Sequence, residues 1–195
     1  MSHRVTELHN IMPITNIPSV LEHGILSHER CTQLPHADVS MTDVQDKRDK
    51  VQVPGGRRLH QYANLYFHAR NPMMSARNHQ AANLCVLRVS TAVFGLEGVV
   101  ISDQNAASKY VRFRSPGALN ELNFDKIYAE DWRHPDDQIA YWQHKSMKCA
   151  EVLVPDCIES KYIQGAYVVS QEAERQLLQQ SFALPIEVNP HIFLL

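Results

Sequence analysis

Apolar residues recur along the chain in two rhythms. Short runs of dense or alternating apolar character predict strands at VTELHNIM (residues 5–12) and at 62–68, 84–90, 98–102, 151–155 and 162–169. Between them, apolar positions spaced three and four apart predict helices. Ile17, Val20, Leu21 and Ile25 share one helical face, with Asn16 placed to cap the helix and Gly24 to end it. A second helix is predicted at 41–51, where Thr42 and Gln45 form the T-x-x-Q pattern of a capping box. Others fall at 72–81, 103–111, 136–148 and 171–181, the last capped by Ser170, and VPGGRR (53–58) reads as a turn. Strands and helices mix without the regular βαβ alternation of a parallel sheet, so the fold class is α+β. No repeat, low-complexity tract or linker divides residues 1–195, which predicts a single domain.

Charge adds an asymmetry. The net charge is only −2, which argues against a generic polyanion binder. Residues 1–90 nevertheless hold ten Lys/Arg against seven Asp/Glu, and residues 91–195 hold nine against fourteen. The N-terminal half can therefore present an anion-facing surface. The four cysteines form no CxxC pair, which fits reduced thiols in the cytoplasm. The opening MSHRVTELHN lacks the apolar core of a signal peptide, and no run reaches the length of a membrane span. The expectation is a soluble, cytoplasmic protein.

Several familiar sites are missing. There is no GxGxxG after a strand, no GxxxxGK[ST], no GxSxG and no HExxH. The eleven histidines lack ligand spacing on any one element, so no metal site is expected. Three places hold more interest. In LYFHARNPMM (65–74), an apolar strand ends in His68 and Arg70, is broken by Asn71-Pro72, and gives way to a helix opening with Met73 and Met74. Arg48 shares a helical side with Val44 and Val51, either snorkelling at the core edge or turning inward to hold an anion. Glu151 opens the apolar strand Val152–Val154. It is either an exposed strand-end carboxylate, replaceable by Ala at a cost within about 1 kcal/mol, or a carboxylate fixed by its strand at the mouth of a cleft.

Taken together, VQDKRDKVQVPGG, LHQYANLYFHARNPMM and KCAEVLV resemble the DarT family of DNA ADP-ribosyltransferase toxins, as does the opening HNIMPITNIPSVLEHGIL. Members carry an Arg in a polar helix, then a YF-x-x-R-x-P-M segment, then AE at the start of a late strand. The likeness spans nearly the whole chain in order. It implies an ADP-ribosyltransferase (PARP-like) fold with a split mixed β-sheet core, peripheral helices and NAD bound in the split. NAD would serve as ADP-ribose donor, with no metal. The acceptor would be a base, typically thymine, in single-stranded DNA, and a macrodomain antitoxin, DarG, would remove the mark. A monomer is expected.

Carried over by position, the resemblance makes Glu151 and Arg48 the catalytic residues. It places NAD contacts at His9, Asn10, Ile11, Met12, Ser19, Ser27 and Arg48, and the acceptor loop at 105–151. The family's usual His-x-Thr-His run is replaced by His9-Asn10-Ile11-Met12, and Asn105 stands where some members have a His. Chemistry agrees: cleaving the nicotinamide–ribose bond builds positive charge on the sugar, which a carboxylate stabilises. Arginine has a pKa above about 12, so Arg48 is expected mainly to clamp the cofactor or polarise the acceptor, with a role in proton transfer left open. Lys47, Lys50, Arg57, Arg58, Arg70 and Asn105 are candidates for meeting the nucleic-acid strand. Tyr128, Trp132 and Trp142 either stack an unpaired base or pack the core. Alternatives left open are an RNA or protein acceptor, or a catalytically silent domain that binds nucleic acid.

Overall fold

Leu84–Val89 is apolar at every position but Arg88, the pattern of a strand covered on both faces. In the computed structural model, which describes residues 5–32, 34 and 48–195, this strand (β4) lies well inside an eight-stranded sheet. The other strands are β1 (Leu8–Pro13), β3 (Tyr62–Tyr66), β5 (Val100–Ser102), β6 (Phe113–Arg114), β7 (Glu151–Pro155), β9 (Ile163–Val168) and β10 (Ile186–Val188). Their order is β10-β9-β4-β1-β3-β7-β5-β6, antiparallel except for the β10–β9 pair. Strands β2 (Ile25–Leu26) and β8 (Cys157–Ile158) form a separate antiparallel pair. The expected split into two small sheets takes a different form. The halves are joined, but β1 and β3 pair in register at one position, His9 with Tyr66, whereas β1 and β4 pair at six.

Alternation sorts the side chains onto two faces. One carries the main core: Leu8, Leu65, Cys85, Leu87, Val152 and Val168, covered by α1 (Ile17–His23), by Phe124 and Ile127 of the short helix that follows Asn123, and by Ala173 and Leu177 of the last helix. The other face carries two smaller clusters. Ile11, Leu84 and Val86 pack with Ala69, Met74, Ile192 and Phe193, while Leu153 and Tyr62 pack with Val53, Leu59 and Ala106. Between those clusters the apolar cover gives way to polar groups.

Local chemistry explains where elements start and stop. Helix α1 grows out of a 3₁₀ turn at Ile14–Asn16, so Asn16 has helical backbone angles and its side chain caps nothing. Gly24 does end it, at φ 80°, where a Cβ would lie 2.3 Å from the Ile158 carbonyl oxygen. Ile25 then begins β2. A one-turn helix follows (α2, His28–Cys31), with Ser27 as its cap. At the end of β3, fully buried Asn71 accepts from the N–H groups of Met73 (2.9 Å) and Met74 (3.1 Å) and donates to the His68 carbonyl (2.9 Å). Asn71 thus starts α3 (Pro72–Arg77), with Pro72 at a first-turn position where a missing N–H costs nothing. The predicted helix at 72–81 divides here, since residues 78–83 continue as 3₁₀.

The helix predicted at 103–111 does not form. Asp103 Oδ1 accepts from Arg112 N–H, Asn105 Oδ1 from Ala107 N–H and Ser108 Oγ from Tyr110 N–H. Short polar side chains take the donors that a helix would need, leaving a run of turns. Helices α4 (Phe124–Ile127), α5 (Gln138–Met147, capped by Asp137) and α6 (Gln171–Gln179, capped by Ser170) follow. Most of the helix predicted at 41–51, including Thr42, Gln45 and Lys47, lies outside the described residues; Arg48 and Asp49 occupy a helical turn. Among the described residues, no helix is long and apolar enough to cross a membrane.

Candidate active site

Strand register brings four polar side chains into one row. Arg88 of β4 pairs with His9 of β1, His9 with Tyr66 of β3, and Tyr66 with Glu151 of β7. Directly paired residues point to the same side, so the row crosses four strands on the face between the two smaller apolar clusters. It also crosses the one register pair that joins β1 to β3.

Glu151 ends the row and is fully buried. Arg48 Nη1 donates to both carboxylate oxygens, at 3.1 and 3.0 Å, and the Ala106 N–H donates to Oε1 at 2.9 Å. The Glu151 N–H is held by Ser102 Oγ at 3.0 Å, and that hydroxyl donates to the Gln104 carbonyl at 2.7 Å. The turns that replace the expected helix therefore aim a backbone donor at the carboxylate. Arg48 points inward, 7% exposed, and the anion it meets is Glu151. The carboxylate is no exposed strand end: truncating it would strand a buried guanidinium, which costs about 3–5 kcal/mol. That overturns the small stability change expected of a strand-end position. Burial, with the Glu151 charge next, pushes the Tyr66 phenol above its ordinary range. Burial likewise raises the Cys149 thiol to about 12, with Glu151 adding to it.

At the other end, Glu7 gathers three donors. His9 Nε2 lies 2.9 Å from Oε1, the Tyr167 hydroxyl donates to Oε1 at 2.7 Å, and Arg88 Nε donates to Oε2 at 2.7 Å. His9 Nδ1 accepts the Ala69 N–H at 3.0 Å. The corner His68-Ala69-Arg70 is thereby tied to β1. Burial, with Lys148 next, drives the His68 imidazole down to about 3, so it stays neutral. His68 Nδ1 is buried without a hydrogen-bond partner among the described residues, while Arg70 Nε makes an ion pair with Glu130 Oε2 at 3.5 Å. A polar ligand would satisfy such an orphan.

The other sequence-predicted residues scatter. Asn10 is buried on the main-core side of β1, with Nδ2 on the Asn64 carbonyl (3.1 Å), and Met12 lies on that side too. Ile11 packs into the cluster containing Ala69. Ser19 is half-exposed on α1. Ser27 caps α2, and its N–H bonds Asp156, beyond the end of β7 opposite Glu151. Lys50 and Arg58 are exposed, Arg57 pairs with Asp156 at 2.6 Å, and Asn105 N–H bonds Ser146. Arg70 donates to the His191 carbonyl at 2.6 Å and lines a cleft of roughly 430 Å³ with Glu130, Trp132, Arg133 and Tyr141.

Tyr128 packs against Phe124 and His68, while Trp142 is 61% exposed. Sequence reasoning missed the parts played by Tyr66, Ser102, Glu7 and Lys148. Tyr66 could have been found by extending the strand register from Glu151, since it is a polar-tipped aromatic on the same face. Lys148 carries no such signal. It is fully buried, donates to the carbonyls of Ile127 and Ala129 (2.8 Å each), and sits 5.6 Å from the Trp132 ring centroid. Burial lowers its pKa to about 8.

Comparison with known proteins bears on the family and the fold. The chain aligns over its full length with a DNA ADP-ribosyl transferase–DNA ADP-ribosyl glycohydrolase fusion protein of Thermosipho africanus (strain H17ap60334), 30% identical over 207 residues. It spans about half of that relative, 51% of its length. The structure of Thermus sp. 2.9 DarT in complex with ADP-ribosylated ssDNA superposes with a TM-score of 0.83 at 22% identity, covering 96% of each chain. The same protein in complex with NAD+ superposes at 0.78 and 21% identity, covering 96% of this chain and 97% of that one. These two likenesses bear on the fold. Residues 9–194 match the family model described as ssDNA thymidine ADP-ribosyltransferase, DarT, and on that match the chain belongs to the DarT family.

Proposed function

We propose that this protein transfers ADP-ribose from NAD to thymidine in single-stranded DNA: the ribose–nicotinamide bond breaks as the base bonds to the ribose, and nicotinamide and the proton lost by the base are released. The observation that carries the reading is the buried Glu151–Arg48 pair, in register with Tyr66 and His9 on the polar gap between two apolar clusters. The orphaned His68 Nδ1 beside that row gives a polar ligand something to meet. NAD supplies the ADP-ribosyl group and a leaving group that departs without a metal.

Glu151 would act on the ribose. Its carboxylate is held by Arg48 and Ala106 N–H, so it need not reorganise as positive charge builds on the sugar. Arg48 holds the Glu151 carboxylate in place through both oxygens; a guanidinium, with a pKa above about 12, is a poor proton acceptor. Tyr66, protonated because burial and Glu151 both disfavour its anion, floors the row between Glu151 and His9. Lys148 holds the carbonyls of 127 and 129 and so sets the wall carrying Trp132, which offers an aromatic edge to an unpaired base. Lys50 and Arg58, both exposed, provide cations for phosphates.

The Thermosipho relative joins the transferase to a glycohydrolase in one chain. We propose that a macrodomain partner of that activity removes the mark here, as an antitoxin to this toxin. The test is labelled NAD with separate pools of single-stranded DNA, duplex DNA, RNA and protein. Label should appear on thymidine-containing single strands and weaken as salt rises. Equal labelling of duplex, or label confined to RNA or protein, overturns the assignment.

A further inference from the structure

We propose that Glu7 is a positioning residue for the NAD side of the site, acting through His9. This rests on reading the row as the ADP-ribose donor site. Glu7 itself lies before the residues that match the family model, which begin at 9.

The proton inventory of His9 carries the inference. The Ala69 N–H donates to Nδ1, so Nδ1 bears a lone pair and no proton. The ring proton therefore sits on Nε2 and points at Glu7 Oε1, 2.9 Å away. Glu7 is fixed in turn by Tyr167 and Arg88, and Arg88 also lies over the Tyr167 ring at 4.9 Å. Burial alone would raise the Glu7 pKa; the hydrogen bonds from His9, Tyr167 and Arg88 outweigh it and bring it to about 2. The Glu7 anion and the Ala69 N–H thus together hold one tautomer of a histidine that is 5% exposed.

Both ring nitrogens of His9 are engaged by protein. What the residue controls is the Ala69 N–H, and hence the corner that carries the orphaned His68 Nδ1 and the Arg70 guanidinium. Without an acceptor at position 7, the Ala69 N–H alone holds that tautomer, and the other becomes accessible. Its Nδ1–H would face the Ala69 N–H, donor against donor, and open the corner. The chain of effect runs from Glu7 to the His9 tautomer, to the corner, to the groups facing the ligand.

The experiment combines ¹⁵N-histidine NMR with steady-state kinetics and NAD calorimetry on the whole protein. Wild type should show His9 protonated at Nε2. Glu7→Ala should show the Nδ1–H form or a mixture. Its KM and Kd for NAD should rise about tenfold, with kcat within about twofold. Glu7→Gln, whose amide oxygen still accepts from Nε2, should keep the wild-type tautomer and NAD affinity although it loses the Arg88 ion pair. An Nδ1–H wild type, or a folded Glu7→Ala with unchanged NAD affinity, overturns the inference. If Glu7→Ala does not fold, Glu7→Gln decides: weakened NAD affinity with the tautomer retained assigns the effect elsewhere and also overturns it. The tautomer and the calorimetric Kd do not depend on transfer, so a wild type that transfers nothing defeats the proposed reaction and leaves Glu7 still judged by these readouts.

Discussion

The row across the sheet has a glutamate–arginine pair at each end, and the two ends are built differently. At the β4 end, Glu7 meets donors from three strands: His9 of β1, Arg88 of β4 and Tyr167 of β9. At the β7 end, Glu151 meets one guanidinium nitrogen and one backbone N–H from a turn. The first carboxylate is locked by regular structure and partly exposed, with a side chain at 16%. The second is completely buried, and its partners come from segments between strands. Glu7 is equipped to hold a neighbour still. Glu151 is held by segments outside the regular sheet, a turn and a short helical segment, which open at less cost than paired strands.

Breaking each pair should therefore cost the molecule in different ways. The larger stability loss belongs to Glu151→Ala, about 3–5 kcal/mol, because Arg48 is left charged and buried. Adding Arg48→Met to that variant should recover part of it, since removing both charges avoids the orphan. Urea unfolding of the single and double variants checks this. If the single variant is as stable as wild type, the pair is far more solvated than its geometry says.

The smaller loss belongs to Glu7 and depends on pH. Its folded pKa is lowered from 4.5 to about 2, so its contribution is fully present above 4.5 and disappears as pH falls toward 2. Against Glu7→Gln, wild type should be more stable by about 2–3 kcal/mol at pH 6, with the gap closing between pH 4.5 and 2. A gap that does not change with pH would mean that Glu7 contributes by packing alone.

These two ends were not equally legible in the sequence. Glu151 stood out because a charged residue opened an apolar strand, and Arg48 because it shared a side with Val44 and Val51. Both are properties of the local pattern. Glu7 stood in plain view within VTELHNIM but looked like the polar half of an alternating strand. Its partners Arg88 and Tyr167 are 81 and 160 residues away, and only strand order brings them together. Most long strands were readable for the same local reason, since Leu84–Val89 and Glu151–Pro155 bury nearly every side chain. Strands of two or three residues, such as β2 and β6, carry too few positions for a rhythm. The error at 103–111 has a specific cause: Asp103, Asn105 and Ser108 are compatible with helical spacing but bind their own backbone first. That failure matters for the site, because those turns deliver the Ala106 N–H.

We propose that Glu151 acts through its charge as the ribose becomes cationic. Glu151→Gln tests it most directly, since the amide keeps the shape and an acceptor for Arg48 while losing the charge. NAD affinity by calorimetry and single-turnover transfer to a thymidine-containing single-stranded oligonucleotide should be measured on the same sample. NAD binding should stay close to wild type and transfer should slow by about a hundred- to a thousandfold. Transfer near the wild-type rate would contradict it, leaving Glu151 as a buried structural partner of Arg48.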